Sequence, residues 1–277
     1  MLVRSSPLAI SFAVVESFDP RSYWEQRLFD DWSLRGVGFS HLGVRFNQLA
    51  YRRRGERFAA LVNDVLPDRS GLRVLDVGSG TGFYLEAWRQ LGAKEIVGLD
   101  LTDAAVERLR ERFPDLEIRR GDIGDDAGSE PQSVDVVSAM DVMFHIVDPD
   151  RFAASLNSIA NILTDGGLFI WSDQFLHGPE VVEQHVAFRS LYRIEAMLDH
   201  AGFDVVTRRP MFFFMDEPRD TSSTLIWNSW RVAMRLAATS ETLGGLFGSA
   251  AYWLDGKLDG RTESPSTEMM VCKKRPA

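Results

Sequence analysis

The sequence carries a single cysteine, Cys272, in 277 residues, which excludes an internal disulfide, and its five histidines and that cysteine show no zinc-type spacing. A reducing compartment follows, and the expected location is the cytoplasm. Positive charge is in deficit as well, with 31 Lys and Arg against 40 Asp and Glu, a net charge of −9 and a pI near 5.1. Neutralising a phosphate backbone requires clustered cations, so no extended nucleic-acid surface is expected and a small or uncharged substrate fits better. A long hydrophobic run is also missing. The apolar stretch from Leu8 to Val15 is short, is followed by Glu16 and Asp19, and lacks a small-residue cleavage pattern. It reads as an arm packing on the body, neither a membrane span nor a signal peptide.

At 45% hydrophobic residues the chain can bury a sizeable core, and one large α/β domain with additions is expected. The organising stretch is Val74-Leu75-Asp76-Val77-Gly78-Ser79-Gly80-Thr81-Gly82. Arg73 to Val77 predicts a short buried strand, and Phe83 to Leu91 a helix with Phe83, Ala87, Trp88 and Leu91 on one side. Glycines in the turn between them permit positive φ and close backbone approach, while the helix N-terminus offers free N–H groups to a ligand. A dinucleotide turn would place its third glycine at Phe83, and here that glycine comes one residue early, at Gly82.

Asp76 followed by Gly78, Gly80 and Gly82 resembles motif I of the class I S-adenosylmethionine-dependent methyltransferases. The resemblance implies a loop, with Asp76, Gly78, Ser79, Gly80 and Gly82, that cradles the methionine half of the cofactor. Later segments arrive in the order of that family. Glu95 to Asp100 is a second strand ending in an acid, placed to take the ribose hydroxyls, with Leu101 beside it. The N-cap of the next helix falls instead to Thr102 or Asp103. Glu117 to Ile123 predicts a third strand and loop in which the resemblance gives Asp122 the adenine amine and Ile123 the ring face. Ser133 to Asp148 supplies the fourth strand and, beyond its carboxyl end, Met140, Asp141 and His145, similar to the type 11-like methyltransferases. Leu163 to Gly167, with Asp165 in place of the usual proline, resembles the turn before the fifth strand, Leu168 to Asp173.

The fold expected from this is a Rossmann-like, seven-stranded, mostly parallel sheet with an antiparallel last strand. Residues 1–66 form an arm and helical lid, 67–210 the cofactor-binding core, 211–265 an insertion serving as substrate wall or dimer face, and 266–277 the last strand. Within the core, 186–201 reads as an amphipathic helix and Phe203 to Arg208 as the sixth strand. Tyr23-Trp24-Glu25-Gln26-Arg27 resembles the lid of small-molecule methyltransferases; equally, Trp24, Leu28 and Phe29 fit the buried stripe of an amphipathic helix. Arg52, Arg53, Arg54 and Arg57 read as a solvated face. One of them, or Arg45, is of a type to bind the cofactor carboxylate.

Methyl transfer to a hydroxyl needs a positioned nucleophile and a proton acceptor, for which His145 is the candidate base and Asp141 its orienting partner. Tyr23, Trp24, His177, His185 and Arg189 are the expected substrate contacts, His185 and Arg189 by sharing a helix face at i, i+4. Asp141 and Asp173 offer a weaker alternative, a Mg²⁺ site. The resemblance to bacterial glycan and secondary-metabolite enzymes leans toward a sugar hydroxyl. The other readings are O-, N- or C-methylation of a secondary metabolite, a nicotinamide-dependent oxidoreductase, or a non-catalytic S-adenosylmethionine-binding subunit. A homodimer is also considered.

Overall fold

The computed structural model describes residues 19–125 and 132–276; the apolar run Leu8 to Val15 lies outside them. Two helices lead, α1 (Pro20–Asp30) and α2 (Val44–Val65). Pro20 suits the first helical position, behind Asp19, whose carboxylate accepts the Arg21 and Ser22 amides. There follow β1 (Arg73–Val77), α3 (Phe83–Gln90), β2 (Glu95–Asp100), α4 (Asp103–Arg112), β3 (Glu117–Arg120), β4 (Val134–Ala139), α5 (Pro149–Ile162) and β5 (Leu163–Asp173). The remainder is a two-strand hairpin, β6 (Val181–Val182) and β7 (Ala187–Phe188), then α6 (Leu191–His200), β8 (Phe203–Pro210), α7 (Thr224–Ala237), α8 (Glu241–Gly256) and β9 (Glu268–Lys274).

The main sheet has seven strands in the order β3-β2-β1-β4-β5-β9-β8. Only β9 runs against its neighbours, pairing antiparallel with both β5 and β8. Alternation along the strands divides the core. Val74, Val136, Ile170 and Val271 face a layer that includes Phe58, Leu61, Trp88 and Leu109 from α2, α3 and α4. Leu75, Val137, Phe169 and Cys272 face Phe152, Leu156 and Ile159 of α5 and Leu198 of α6. Burial on both faces explains why the strands read as continuous apolar runs. The chain leaves β1 toward β2 and β3, then returns to β4 on the other side, which opens a crevice beyond the carboxyl ends of β1 and β4.

Several expectations are corrected. The segment 186–201 is not one helix: Ala187 and Phe188 pair with Val181 and Val182, and the helix starts at Leu191 behind Ser190, whose hydroxyl accepts the Arg193 amide. His185 and Arg189 therefore share no helix face. The fifth strand starts earlier than expected, α5 passing directly into β5 at Leu163, with a register shift against β4 between Val134 and Val136. Phe29 is 69% exposed and leaves the proposed stripe of α1. The arginine cluster of α2 is solvated only at Arg52; α8 lies over Arg53 and Arg57, and Arg54 turns into the body. Arg53 and Arg54 are buried, Arg53 donating to the Tyr252 carbonyl (2.6 Å) and Arg57 to those of Pro210 and Asp255 (both 3.0 Å). Arg45 also packs on α8, beside Gly245.

Candidate active site

The glycine turn sits at the crevice. Gly78 has φ +67°, and a Cβ on it would lie 2.4 Å from Val142 Cγ2. Gly80 has φ +51°, with Val37 the nearest neighbour of an added Cβ, at 3.3 Å. The amides of the turn itself are spent internally: those of Gly78 and Ser79 donate to the Leu99 carbonyl (2.7 and 3.1 Å), and that of Gly80 to Asp100 Oδ2 (2.8 Å). Gly82 faces away from the cavity. A Cβ there would meet Phe113 at 2.4 Å and Leu109 at 2.8 Å, so this glycine lets α4 close on the turn.

Asp76 also leaves the expected cofactor set, because it lies beneath the turn. Its Oδ1 accepts from the Ser138 hydroxyl (2.6 Å), which in turn accepts from Trp88 Nε1 (2.9 Å). Burial pushes its carboxyl up to about 7. This chain of bonds ties β1, β4 and α3 together under the site.

Above it opens a cavity of about 750 Å³ whose wall includes Gly78, Ser79, Gly80, Asp100, Leu101, Asp122, Ile123, Met140, Asp141, His145 and Trp24. Asp100 closes one region, accepting from the Thr102 amide and hydroxyl on Oδ1 (3.0 and 2.8 Å) and leaving the N-cap of α4 to Thr102. Burial raises its pKa. Asp122 accepts the Gly124 amide (2.8 Å) and pairs with Arg151 (2.8 Å), which also lines the cavity. Thr81 Oγ1, on the same wall, is buried without a partner among the described residues. An orphaned hydroxyl beside a turn that admits no side chain suits a polar ligand lying along the backbone.

Beyond β4, Asp141 takes φ +61°, an uncommon conformation for a residue with a side chain. Its amide donates to Ser172 Oγ (2.8 Å), whose hydroxyl donates back to Asp141 Oδ1 (3.0 Å), while Oδ2 is ion-paired to the buried Arg54. Arg54 stacks over Phe212 at 4.7 Å and Tyr51 at 5.4 Å. Asp141 thus makes no bond to His145, correcting its expected orienting role.

That role belongs to a backbone carbonyl. His145 ends a 3₁₀ turn, Met143–His145, and its Nδ1 lies 2.9 Å from the His185 carbonyl oxygen. A carbonyl only accepts, so Nδ1 donates and Nε2 of the neutral ring is a bare lone pair. Burial lowers the His145 pKa to about 4, outweighing the opposing hydrogen bond to the His185 carbonyl. Trp24 meets His145 edge-on at 4.8 Å, and Tyr23 stacks on His185 at 5.3 Å. The helix carrying both aromatics is anchored by Glu25, whose carboxylate caps α4 at the Asp103 and Ala104 amides (2.8 and 2.9 Å). Arg27 fastens it to the following loop through the Gly38 carbonyl (2.6 Å).

Tyr23 and His185 back the wall without lining it, and three further expected residues lie elsewhere. His177 is half-exposed, bonded to Asp220 (2.6 Å) outside the cavity wall. Arg189 is buried under the His145 loop, donating to the Ile146 carbonyl (2.6 Å) and stacking on Phe152 at 3.9 Å. Asp173 is fully buried and accepts the Gln174 amide (2.6 Å). With Asp141 engaged by Arg54, Asp141 and Asp173 form no metal site, and no group of three or more His, Cys, Asp or Glu among the described residues is arranged to hold an ion. None of the cavity wall comes from residues 211–265, and no helix among the described residues is long and apolar enough to cross a membrane.

A family model described as a methyltransferase domain matches residues 74–167. Over 110 residues the chain is 34% identical to the ubiquinone biosynthesis O-methyltransferase of Neisseria meningitidis serogroup C, covering 38% of this chain and 45% of that protein. Over 179 residues it is 27% identical to a probable S-adenosylmethionine-dependent methyltransferase of Mycolicibacterium smegmatis, covering 62% and 63% of the two chains. The chain thus spans less than half of the first relative and under two thirds of the second. The solved phosphoethanolamine N-methyltransferase 2 of Haemonchus contortus, in complex with S-adenosyl-L-methionine, superposes with a TM-score of 0.58 at 18% identity, over 94% of this chain and 61% of that one. At that identity the likeness is one of fold.

Proposed function

We propose that the chain is a class I S-adenosylmethionine-dependent methyltransferase that methylates a hydroxyl of a small molecule, a reading supported by the methyltransferase-domain match over residues 74–167. The observation that carries this reading is His145, fixed through Nδ1 by the His185 carbonyl and lining the same cavity as the glycine turn and Asp100. When bound, S-adenosylmethionine supplies an electrophilic methyl group on a sulfonium. The rest of the work falls to the chain. Asp100 offers carboxylate oxygens to the ribose hydroxyls, and Asp122 and Ile123 meet the adenine. Asp141, on the cavity wall and held by the buried Arg54 behind it, offers a carboxylate to the ammonium of the amino-acid end, with Thr81 Oγ1 as a further partner. His145 Nε2 would take the acceptor's hydroxyl proton as its oxygen bonds the methyl carbon and the carbon–sulfur bond breaks, leaving neutral S-adenosylhomocysteine, and that proton would leave later to solvent.

The names of relatives such as the neisserial protein support oxygen as the acceptor atom. Trp24 packs on His145, and the cavity wall carries Leu28, Val37, Val142 and Ile146 alongside the polar Asp19, Arg21, Asp148 and Gln184, with more of its surface apolar than polar. A mostly apolar wall with an aromatic ring beside the base suits a flat, hydroxylated acceptor, which we favour over the sugar suggested by the sequence. The test is S-adenosylhomocysteine release with two acceptor panels, phenols and sugars. Methyl ethers formed from phenols, and lost in His145→Ala, are the expected result. Turnover of sugars alone overturns the acceptor class, and retained cofactor binding with no turnover on either panel overturns the enzymatic reading.

A further inference from the structure

The helices α7 and α8 pack inward through small or buried positions: Met234 and Ala237 on α7, Gly244, Gly245, Gly248 and Ala251 on α8. Their opposite sides are apolar too. Leu225, Val232 and Leu236 recur at i, i+7 and i+11 along α7, and Leu243, Leu246 and Trp253 at i, i+3 and i+10 along α8. These spacings place each set on one side of its helix. All six are exposed, Leu225 at 75%, Leu246 at 64% and Trp253 at 61%. A monomeric surface seldom leaves so many large apolar side chains together in water.

Among the described residues, the charges left without an ion pair or a hydrogen bond around this face are cations. Arg231 and Arg235 flank the stripe of α7, which contains no acid, and both are exposed without an ion pair among the described residues. Lys257, just past the end of α8, holds its ammonium 5.2 Å from the Trp253 ring. The acids nearby are otherwise engaged: Glu217, within electrostatic reach of Arg231, pairs with Arg219, Glu241 caps α2 at the Val44 and Arg45 amides (2.9 and 2.7 Å), Asp255 is buried, and Asp259 pairs with Arg57 (2.6 Å). In a chain of net charge −9 this face is a local exception.

We propose that the outward face of α7 and α8 docks on an anionic phospholipid surface. Leucines and a tryptophan would enter the headgroup boundary while the flanking arginines and lysine reach the phosphates, the arrangement of an interfacial amphipathic helix. A second copy of this chain is the other occupant to weigh. A two-fold contact presses the same patch against itself and so brings like cations together with no free acid to meet them. A lipid surface supplies the opposite charge.

The test is co-sedimentation of the full chain with phosphatidylcholine vesicles, with and without phosphatidylglycerol, at low and high salt. The expected result is binding that requires phosphatidylglycerol, weakens with salt, and is lost in Leu225→Ser/Leu246→Ser. Arg231→Gln/Arg235→Gln should weaken it by about 30-fold, roughly fivefold for each cation held at an anionic surface. These side chains are exposed, so circular dichroism should show both variants folded. The proposal is overturned by absence of vesicle binding in the wild type, by binding indifferent to phosphatidylglycerol, or by binding retained in both variants. It is equally overturned if sedimentation equilibrium finds a dimer that Leu225→Ser/Leu246→Ser dissociates, which assigns the face to a second copy. None of these readouts requires methyl transfer.

Discussion

Lowering the pH from neutral to about 5 should barely slow turnover if His145 Nε2 is the base. Burial among Trp24, Phe144 and the His185 loop holds the ring's pKa down to about 4. One unit above that value roughly 90% of the imidazole is still neutral, whereas a ring at the ordinary 6.5 would be about 3% neutral at pH 5. The two cases differ by about 30-fold in rate, provided that proton removal limits it. The sign follows from the role: a base works deprotonated, so activity persists above its pKa and is lost as pH falls through about 4. A cationic ligand beside the ring pushes its pKa further down and does not reverse the direction. The assay is initial rate against pH at saturating substrates, with cofactor affinity measured in parallel. His145→Ala should lower turnover by roughly 10² to 10⁴ with affinity nearly unchanged. An acid limb near 6.5, or near wild-type turnover in the alanine variant, would refute the assignment.

Asp100→Asn should weaken S-adenosylmethionine binding by at least about tenfold, since hydrogen bonds to a charged group are each worth about 1.5 to 3 kcal/mol; calorimetry showing unchanged affinity removes Asp100 from the site. Asparagine is chosen over alanine because Asp100 also ties down the Gly80 amide. Gly82→Ala should destabilise the fold by roughly 2 to 5 kcal/mol, combining a positive φ with a clash against Phe113, and an unchanged Tm contradicts this packing role. Arg54→Met should cost about 3 kcal/mol in denaturant unfolding, the low end for a broken buried pair because Asp141 keeps 21% of its side chain exposed. Adding Asp141→Asn should restore part of that loss, and a purely additive double variant would show the two residues uncoupled.

The sheet was legible because each strand is a short apolar run closed by an acid or a turn. Arg73–Val77 and Glu95–Asp100 fall where the residues alone predict them. The cavity wall was legible for the same reason, since ligand contacts cluster at strand ends that the runs mark out. What was not legible depended on distant partners. Arg53, Arg54 and Arg57 look solvated along α2, but α8, close to 200 residues later, covers Arg53 and Arg57, and Asp141 and Phe212 enclose Arg54. A local signal for that contact existed in Gly244, Gly245 and Gly248, a small-residue face on a helix; a Cβ on Gly248 would sit 3.1 Å from Phe46. His185 and Arg189 fit a helical spacing as well as they fit the hairpin they occupy. The Ser190 cap was the available sign that the helix begins later. The position of His145 at the cavity was legible, but its partner is a main-chain carbonyl, which carries no sequence signature.

The central claim is that the crevice beyond β1 and β4 holds S-adenosylmethionine, and calorimetric titration of the purified chain tests it most directly. The account predicts saturable binding of S-adenosylmethionine and S-adenosylhomocysteine at a single site, with no heat from NAD. Tight NAD binding without any for S-adenosylmethionine would contradict it.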